Sequence, residues 1–392
     1  MTFRKSEHLR KSSSTQLQWT LGQINYWGVE KMMAPAWKPN CAPTMVGSMP
    51  HRNRKEVIEM ILNRLDEIPV WPQLSPYKSE GMMVQYLEGL PGLIQEDDER
   101  YIFDTELPNF EEDLYRLYDA YVTVSGDESY RDVLKNFAFG PETGATFYAF
   151  TEALERHGKD YIALKGQVVG PFTLLSYLKD KNGRLALYNE KMQDVVPKHL
   201  VMKALWQAEE LKKYSRRVII FFDEPALAGY GSSAFISVSR EFIEKMIAEM
   251  CSLLQSHGVM VGIHVCANTD WSLLLRSSVD IVNFDAYSYS DKFLLYSSDI
   301  RNFVQKGGYI AWGLVPTDES EKIWKESVES LEALLVKMIE DLSDKGLVKG
   351  DIFRSSLVTP SCGCGTLTVE DAEKVLDLLV TTVHRVRERF KV

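Results

Sequence analysis

The chain is expected to fold as an α/β protein, a (β/α)8 TIM barrel with a long helical insertion after the second strand. Three observations lead there. Eight short runs of β-branched, aromatic and other apolar residues begin near positions 44, 70, 161, 217, 259, 280, 309 and 352. Segments with helical apolar spacing separate most of them, and strand alternating with helix is the pattern of a parallel sheet. Polar and metal-capable residues recur where those runs end, at Gly47-Ser48, Asp223-Glu224, His264 to Cys266, Asp285 and Cys362 to Cys364. A barrel gathers the C-terminal ends of its strands on one rim. An open doubly wound sheet is the competing architecture, but no glycine-rich nucleotide fingerprint supports it.

In order, residues 44–49 read as a strand running into Pro50-His51, and 54–65 as a helix. Val70-Trp71 starts a second strand that Pro72, lacking an N–H, would close. Residues 78–158 form the insertion, mostly helical and rich in acidic and aromatic side chains. Residues 161–169 are strand-like and meet Gly170-Pro171, where proline suits the first turn of a helix. Residues 217–222 make an apolar strand ending in Asp223-Glu224-Pro225, and 241–257 a helix. Strands follow at 259–265, 280–284, 309–314 and 352–358, with the longest intervening helix at 319–343. Thr368-Val-Glu-Asp371 has the form of a capping box and opens the last helix.

The 392 residues are 45% hydrophobic, enough for one barrel-sized core. Residues 41–392 are therefore taken as a single domain, and the Lys-, Arg- and Ser-rich residues 1–40 as an N-terminal extension. The net charge of −10 and the lack of any basic block interleaved with aromatics argue against nucleic acid as a partner. No apolar run reaches the ~20 residues needed to span a bilayer, and no secretory h-region opens the chain. Three of the five cysteines lie at the two strand ends richest in candidate ligands, a distribution that suits a metal site in a reducing cytoplasm better than a disulfide framework.

His264 and Cys266 stand two residues apart, so on a strand both side chains leave the same face. Cys362 and Cys364 follow the last strand. One imidazole and up to three thiols are the donor set of Zn2+. The bland alternative is a satisfied core histidine with inert buried thiols. His264, Cys266 and Cys362 make three ligands; Cys364 and Asp285 are the candidates for a fourth. Zn2+ held by thiolates is suited to binding another thiol as thiolate, which favours alkyl transfer to sulfur over hydrolysis. Of Asp223 and Glu224 only one can face the rim. A rim carboxylate would suit a substrate ammonium, and the Val46-Gly47-Ser48 segment, with its N–H groups and hydroxyl, would suit a carboxylate. Glu80 could be a second carboxylate for an amine; by itself it reads as a solvated charge.

Together these stretches resemble the catalytic barrel of cobalamin-independent methionine synthase, within the superfamily that includes uroporphyrinogen decarboxylase. The matching segments are Met45-Val-Gly-Ser-Met-Pro50, Ser79-Glu80 through Val84-Gln-Tyr86, Gly170-Pro-Phe-Thr173, Asp223-Glu-Pro-Ala-Leu227, Ile263-His-Val-Cys266 and Thr359-Pro-Ser-Cys-Gly363, in family order. The resemblance implies that His264, Cys266 and Cys362 ligate zinc, with Asp285 where the family has a fourth, glutamate ligand. It implies that Asp223 and Glu80 hold the amino group of homocysteine and that Val46, Gly47 and Ser48 hold its carboxylate. The activity implied is methyl transfer to the homocysteine thiol, forming methionine. Three departures touch the methyl donor: no room for a second, N-terminal barrel, Tyr177 in place of a pterin-stacking Trp, and Leu314 in place of a proton-donating His. A methyl-corrinoid protein is thus the expected donor, or else methyltetrahydrofolate. The alternatives are another thiol such as coenzyme M, and a non-catalytic, zinc-stabilised binding protein.

Overall fold

Strand pairing in the computed structural model builds a curled parallel sheet that presents its carboxyl ends together. Residues 37–97, 100–126 and 130–391 are described, so residues 1–36 of the anticipated extension lie outside them. The strands are β1 (Ala42–Pro43), β2 (Ser48–Met49), β3 (Gln73–Leu74), β4 (Leu93–Gln95), β5 (Tyr101–Phe103), β6 (Leu164–Val169), β7 (Lys179–Asp180), β8 (Val218–Asp223), β9 (Val259–Val265), β10 (Ile281–Phe284), β11 (Tyr309–Val315) and β12 (Ser356–Pro360). Seven form one sheet in the order β1-β12-β11-β10-β9-β8-β6, every pair parallel. β2 pairs in parallel with β3, and Val70 makes a single parallel bridge to Lys165 of β6.

The expected strand at 44–49 is shortened. Only Ser48–Met49 of it is strand, pairing with β3, while Ala42–Pro43 just before it pairs with β12. Gly47 lies between them at φ +144°, and a Cβ there would stand 2.6 Å from the Gln167 side chain, so only glycine passes. The second strand begins beyond Pro72, with Val70 contributing one bridge. The last expected strand also starts late. Lys349–Arg354 is a helix that buries Ile352 and Phe353, and pairing begins at Ser356. An apolar pair of that kind serves a helix face as well as a strand, and periodicity alone does not separate the two.

Side chains along the sheet divide by parity. Ile220, Phe222, Ile263, Val265, Val282 and Phe284 belong to the main apolar core shared with the helices. Their strand neighbours Lys165, Gln167, Asp223, His264 and Asn283 have the opposite parity, and the register sets Lys165 beside Ile219, Asp223 beside His264, and His264 beside Asn283. That face of the sheet therefore carries buried polar side chains among apolar ones such as Ile219 and Phe221. That placement puts Asp223 and His264 at the same level, each at or next to the end of its strand.

Between β3 and β6 lie the helices Phe110–Gly126 and Ala145–His157, together with shorter turns of helix. Trp71, Phe139, Phe147 and Trp206 meet edge-on or tilted, with ring centroids 5.0 to 6.0 Å apart, and seat this segment against the helix Glu190–Leu211. A small sheet of β4, β5 and β7 was not anticipated; its strands are two or three residues long, too short for an alternation signal. Thr368 caps the helix Val369–Phe390 through the N–H of Asp371. The Asp371 carboxylate turns instead to Ser320 and Trp324, so only half of the anticipated box forms.

Candidate metal centre

His264 lies in β9, Cys266 follows its last residue Val265, and Cys362 follows β12 by two residues. One ring nitrogen of His264 and the sulfurs of Cys266 and Cys362 lie within 4.8 Å of one another. The imidazole is oriented by its neighbour. Asn283 Nδ2 donates to Ala311 O and Thr359 Oγ1, both at 2.9 Å. The backbone carbonyl can only accept, so the amide oxygen must face His264, and Nδ1–H of the ring donates to it at 2.6 Å. Nε2 is then the lone-pair nitrogen, and it is buried without a hydrogen-bond partner. A neutral ring with its second nitrogen held by an outer amide is the form that binds a metal.

Burial lowers the His264 pKa to about 4, which keeps the ring neutral. Cys362 shares a hydrogen bond with Cys266; the bond draws Cys266 down to about 7 and pushes Cys362 up. One neutral imidazole and two adjacent sulfurs fit Zn2+.

A test of the depressed imidazole follows from its sign. The folded value lies below the ordinary 6.5, so its stabilising contribution is complete above pH 6.5 and is lost as pH falls toward 4. His264 should account for about 3 kcal/mol of the stability that the metal-free protein loses across that window, at roughly 1.4 kcal/mol per pKa unit. Chemical denaturation of metal-free wild type and His264→Gln at pH 7 and 4.5 measures it as the difference between the two pH dependences, since the buried His199, held down to about 3, loses stability over the same range in both proteins.

Neither candidate fourth ligand joins the group. Asp285 caps the helix Ala286–Phe293, its carboxylate accepting the N–H of Ser288 at 2.9 Å. Cys364 turns into the apolar core, is fully buried, and has its thiol pushed up to about 12 by that burial. Among the described residues the donor set is three.

Asp223 ends β8 level with His264 and is 7% exposed. Its Oδ1 is buried and has no hydrogen-bond partner. Glu224 points the other way, toward the N-terminus of the helix Pro171–Tyr177, accepting from Phe172 N at 3.0 Å, Thr173 N at 2.8 Å and Thr173 Oγ1 at 2.6 Å. This is the division of labour that strand alternation demands.

Glu80 is neither solvated nor free. It is fully buried, and it accepts from Arg54 Nη2 at 3.0 Å, Thr146 Oγ1 at 2.8 Å, Thr146 N at 3.2 Å and Leu74 N at 3.3 Å. Its lone pairs are committed to tying the insertion to β3. The 46–48 segment lies at the site but is also engaged. Val46 O accepts from Lys165 Nζ at 2.6 Å, and Ser48 O accepts the N–H of Cys364 at 2.9 Å.

Sequence reasoning missed Lys165, Asn283 and Arg54. Lys165 is fully buried on β6, with its ammonium 4.4 Å from the Phe221 ring centroid. Burial pushes the Lys165 ammonium down and the Asp223 carboxyl up, and each one's charge opposes the other's shift. A signal existed: Lys165 and Asn283 interrupt otherwise apolar strands, and a buried polar residue demands a partner. Arg54 gave no such signal, since a helix surface normally carries charge.

No family model and no curated protein matches the chain. Among solved structures it is similar to a B12-independent methionine synthase from Shewanella sp. W3-18-1 in complex with selenomethionine, with a TM-score of 0.51 and 13% identity over 90% of this chain and 99% of that one. It is also similar to the tandem GH20 catalytic modules of the pneumococcal exo-β-D-N-acetylglucosaminidase, at a TM-score of 0.45 and 10% identity over 89% and 84%. A GH5-4 endoglucanase from Clostridium longisporum follows at 0.39 and 12% over 86% and 99%. At 13% identity the likeness to the methionine synthase is one of fold. No helix among the described residues is long and apolar enough to cross a membrane.

Proposed function

We propose that the chain is a zinc-dependent thiol methyltransferase that moves a methyl group to homocysteine, forming methionine. The observation that carries this reading is the convergence of His264, Cys266 and Cys362 beside a buried carboxylate oxygen of Asp223 that has no hydrogen-bond partner. We also take the segments around β2 and β3 as the first two staves of a closed eight-stranded barrel, on the strength of their pairing with each other and the Val70–Lys165 bridge.

In this reading His264, Cys266 and Cys362 hold the ion, and Asn283 keeps the imidazole lone pair aimed at it. Zn2+ held by these three residues would lower the pKa of a substrate thiol and so keep it nucleophilic at neutral pH. Asp223 accepts the ammonium of the amino acid and so fixes the direction from which its sulfur approaches. Val46 to Ser48 would receive the carboxylate end. The donor's methyl must arrive from the open rim; a methyl-corrinoid protein is the donor we favour, with methyltetrahydrofolate as the other. A closed, purely structural site would need a fourth protein ligand, and the positions of Asp285 and Cys364 speak against one. Five unpaired cysteines suit a reducing compartment such as the cytoplasm.

Metal analysis of purified protein, followed by assay of methionine from homocysteine with methylcobalamin or methyltetrahydrofolate, tests the proposal. About one zinc per chain and methionine formation are expected, with coenzyme M a poor competitor. Zinc-loaded protein that methylates no thiol would reduce the site to a structural role.

A further inference from the structure

Cys362 is the donor least secured by regular structure. β12 ends at Pro360, and the chain passes through Ser361-Cys-Gly-Cys-Gly365 as a bend before the last helix. The N-terminal side of that bend is fixed by Ser361, whose N–H donates to Val315 O at 2.8 Å and whose hydroxyl meets Thr317 Oγ1 at 3.0 Å. The far side is fixed almost wholly by one residue from the other end of the chain. Ser48 O accepts the N–H of Cys364 at 2.9 Å, and Ser48 Oγ accepts the N–H of Gly365 at 3.2 Å. Ser75 adds a hydroxyl bond to Gly365 O at 2.5 Å.

The two glycines are shaped to that hydroxyl. A Cβ on Gly363 would lie 2.0 Å from Ser48 Oγ, and one on Gly365 would lie 3.1 Å from both Ser48 Oγ and Ser48 Cβ. Gly363 has no left-handed backbone requirement. Its lack of a side chain therefore answers to the close approach of Ser48 and not to a turn.

We propose that Ser48 is a positioning residue for the metal centre: it clamps the 361–365 bend and so places the Cys362 sulfur against His264 and Cys266. This role differs from contact with the substrate carboxylate. The two are compatible, because Ser48 Oγ serves the bend as an acceptor and its own proton is left to donate elsewhere. The inference rests on the metal centre proposed above.

The test reads metal affinity, not turnover. Zinc affinity is measured by competition with a chelator, and the sulfur-to-metal charge-transfer band is recorded on Co2+-substituted protein, for wild type, Ser48→Ala, Gly363→Ala and the double variant. Outer contacts that orient a ligand typically change metal affinity about 10- to 100-fold. Ser48→Ala should fall in that range with an altered band. Gly363→Ala should weaken binding by at least as much, because its methyl meets the Ser48 hydroxyl. The double variant should bind more tightly than the product of the single effects, since removing the hydroxyl makes room for the methyl. Wild-type affinity and band in a folded Ser48→Ala, or strict additivity in the cycle, would overturn the proposal and leave the metal centre intact. Should Ser48→Ala fail to fold, Gly363→Ala alone decides, and wild-type affinity there would overturn it. A wild-type protein that binds neither zinc nor cobalt would remove the metal centre and this inference with it.

Discussion

Cys362→Ala is expected to lose the metal and methyl transfer together, while Cys364→Ala, two residues on, keeps both. Structural zinc sites with four protein ligands bind with apparent energies of roughly 10–16 kcal/mol, about 2.5–4 kcal/mol per ligand, so one lost thiolate should weaken zinc by about 10²- to 10³-fold. Activity should fall further, below detection, because the remaining His264 and Cys266 no longer define the direction of the open position. Cys364 is buried in the apolar core, and its alanine variant should cost only ordinary packing stability, about 1–2 kcal/mol. Asp285→Asn should behave like Cys364→Ala, since asparagine caps a helix about as well as aspartate. Chelator competition and metal analysis on the three variants separate a three-donor site from a four-donor one. If Cys364→Ala or Asp285→Asn released zinc as readily as Cys362→Ala, the three-donor geometry would be wrong.

The contrast between these residues also explains what could be read in advance. His264 and Cys266 were legible because a strand has a strict period of two, which puts positions two apart on one face wherever the strand lies. Asp223 and Glu224 were legible for the same reason: adjacent residues must diverge, and they do. Cys362 and Cys364 have the same spacing, but they follow Pro360, beyond the strand, where no period applies. One sulfur faces the rim and the other the core, and the contacts that decide which come from Ser48, more than three hundred residues earlier. The alternation of strand and helix that builds a parallel sheet was visible in the runs of apolar residues, whereas the turn of the chain at Gly47 depends on Gln167, which occupies the space a side chain would need.

Glu80 shows the same limit from the charged side. Read along the chain, it is an acidic residue in a polar stretch. Its burial becomes tolerable only because Arg54 and Thr146 reach it from helices on either side. A buried carboxylate so completely satisfied is structural in energy terms, since breaking one partner of such a pair costs far more than forming it gained. In the proposed function, amine recognition therefore falls chiefly to Asp223.

Asp223→Asn should consequently erase the preference for an amino-bearing thiol and spare a thiol without one. Asn is isosteric and leaves the fold undisturbed, but it offers an amide where a substrate ammonium needs a charge. Leaving one member of a buried, hydrogen-bonded charge pair unmatched costs about 2–5 kcal/mol, or about 30- to 5,000-fold in affinity. The loss should appear in KM for homocysteine, with little change in binding of 4-mercaptobutyrate, which keeps the carboxylate and the thiol and lacks only the amine. Lys165 sharpens the expectation. Its ammonium is bonded to Val46 O, and no carboxylate lies within 4.0 Å of it among the described residues, so Asp223 is not already neutralised by direct contact. Glu80→Gln, by contrast, should lower thermal stability and leave the ratio between the two thiols unchanged. Equal losses for both thiols in Asp223→Asn would mean that this carboxylate serves the metal centre itself, and a sulfonate thiol such as coenzyme M would then regain its standing as the acceptor.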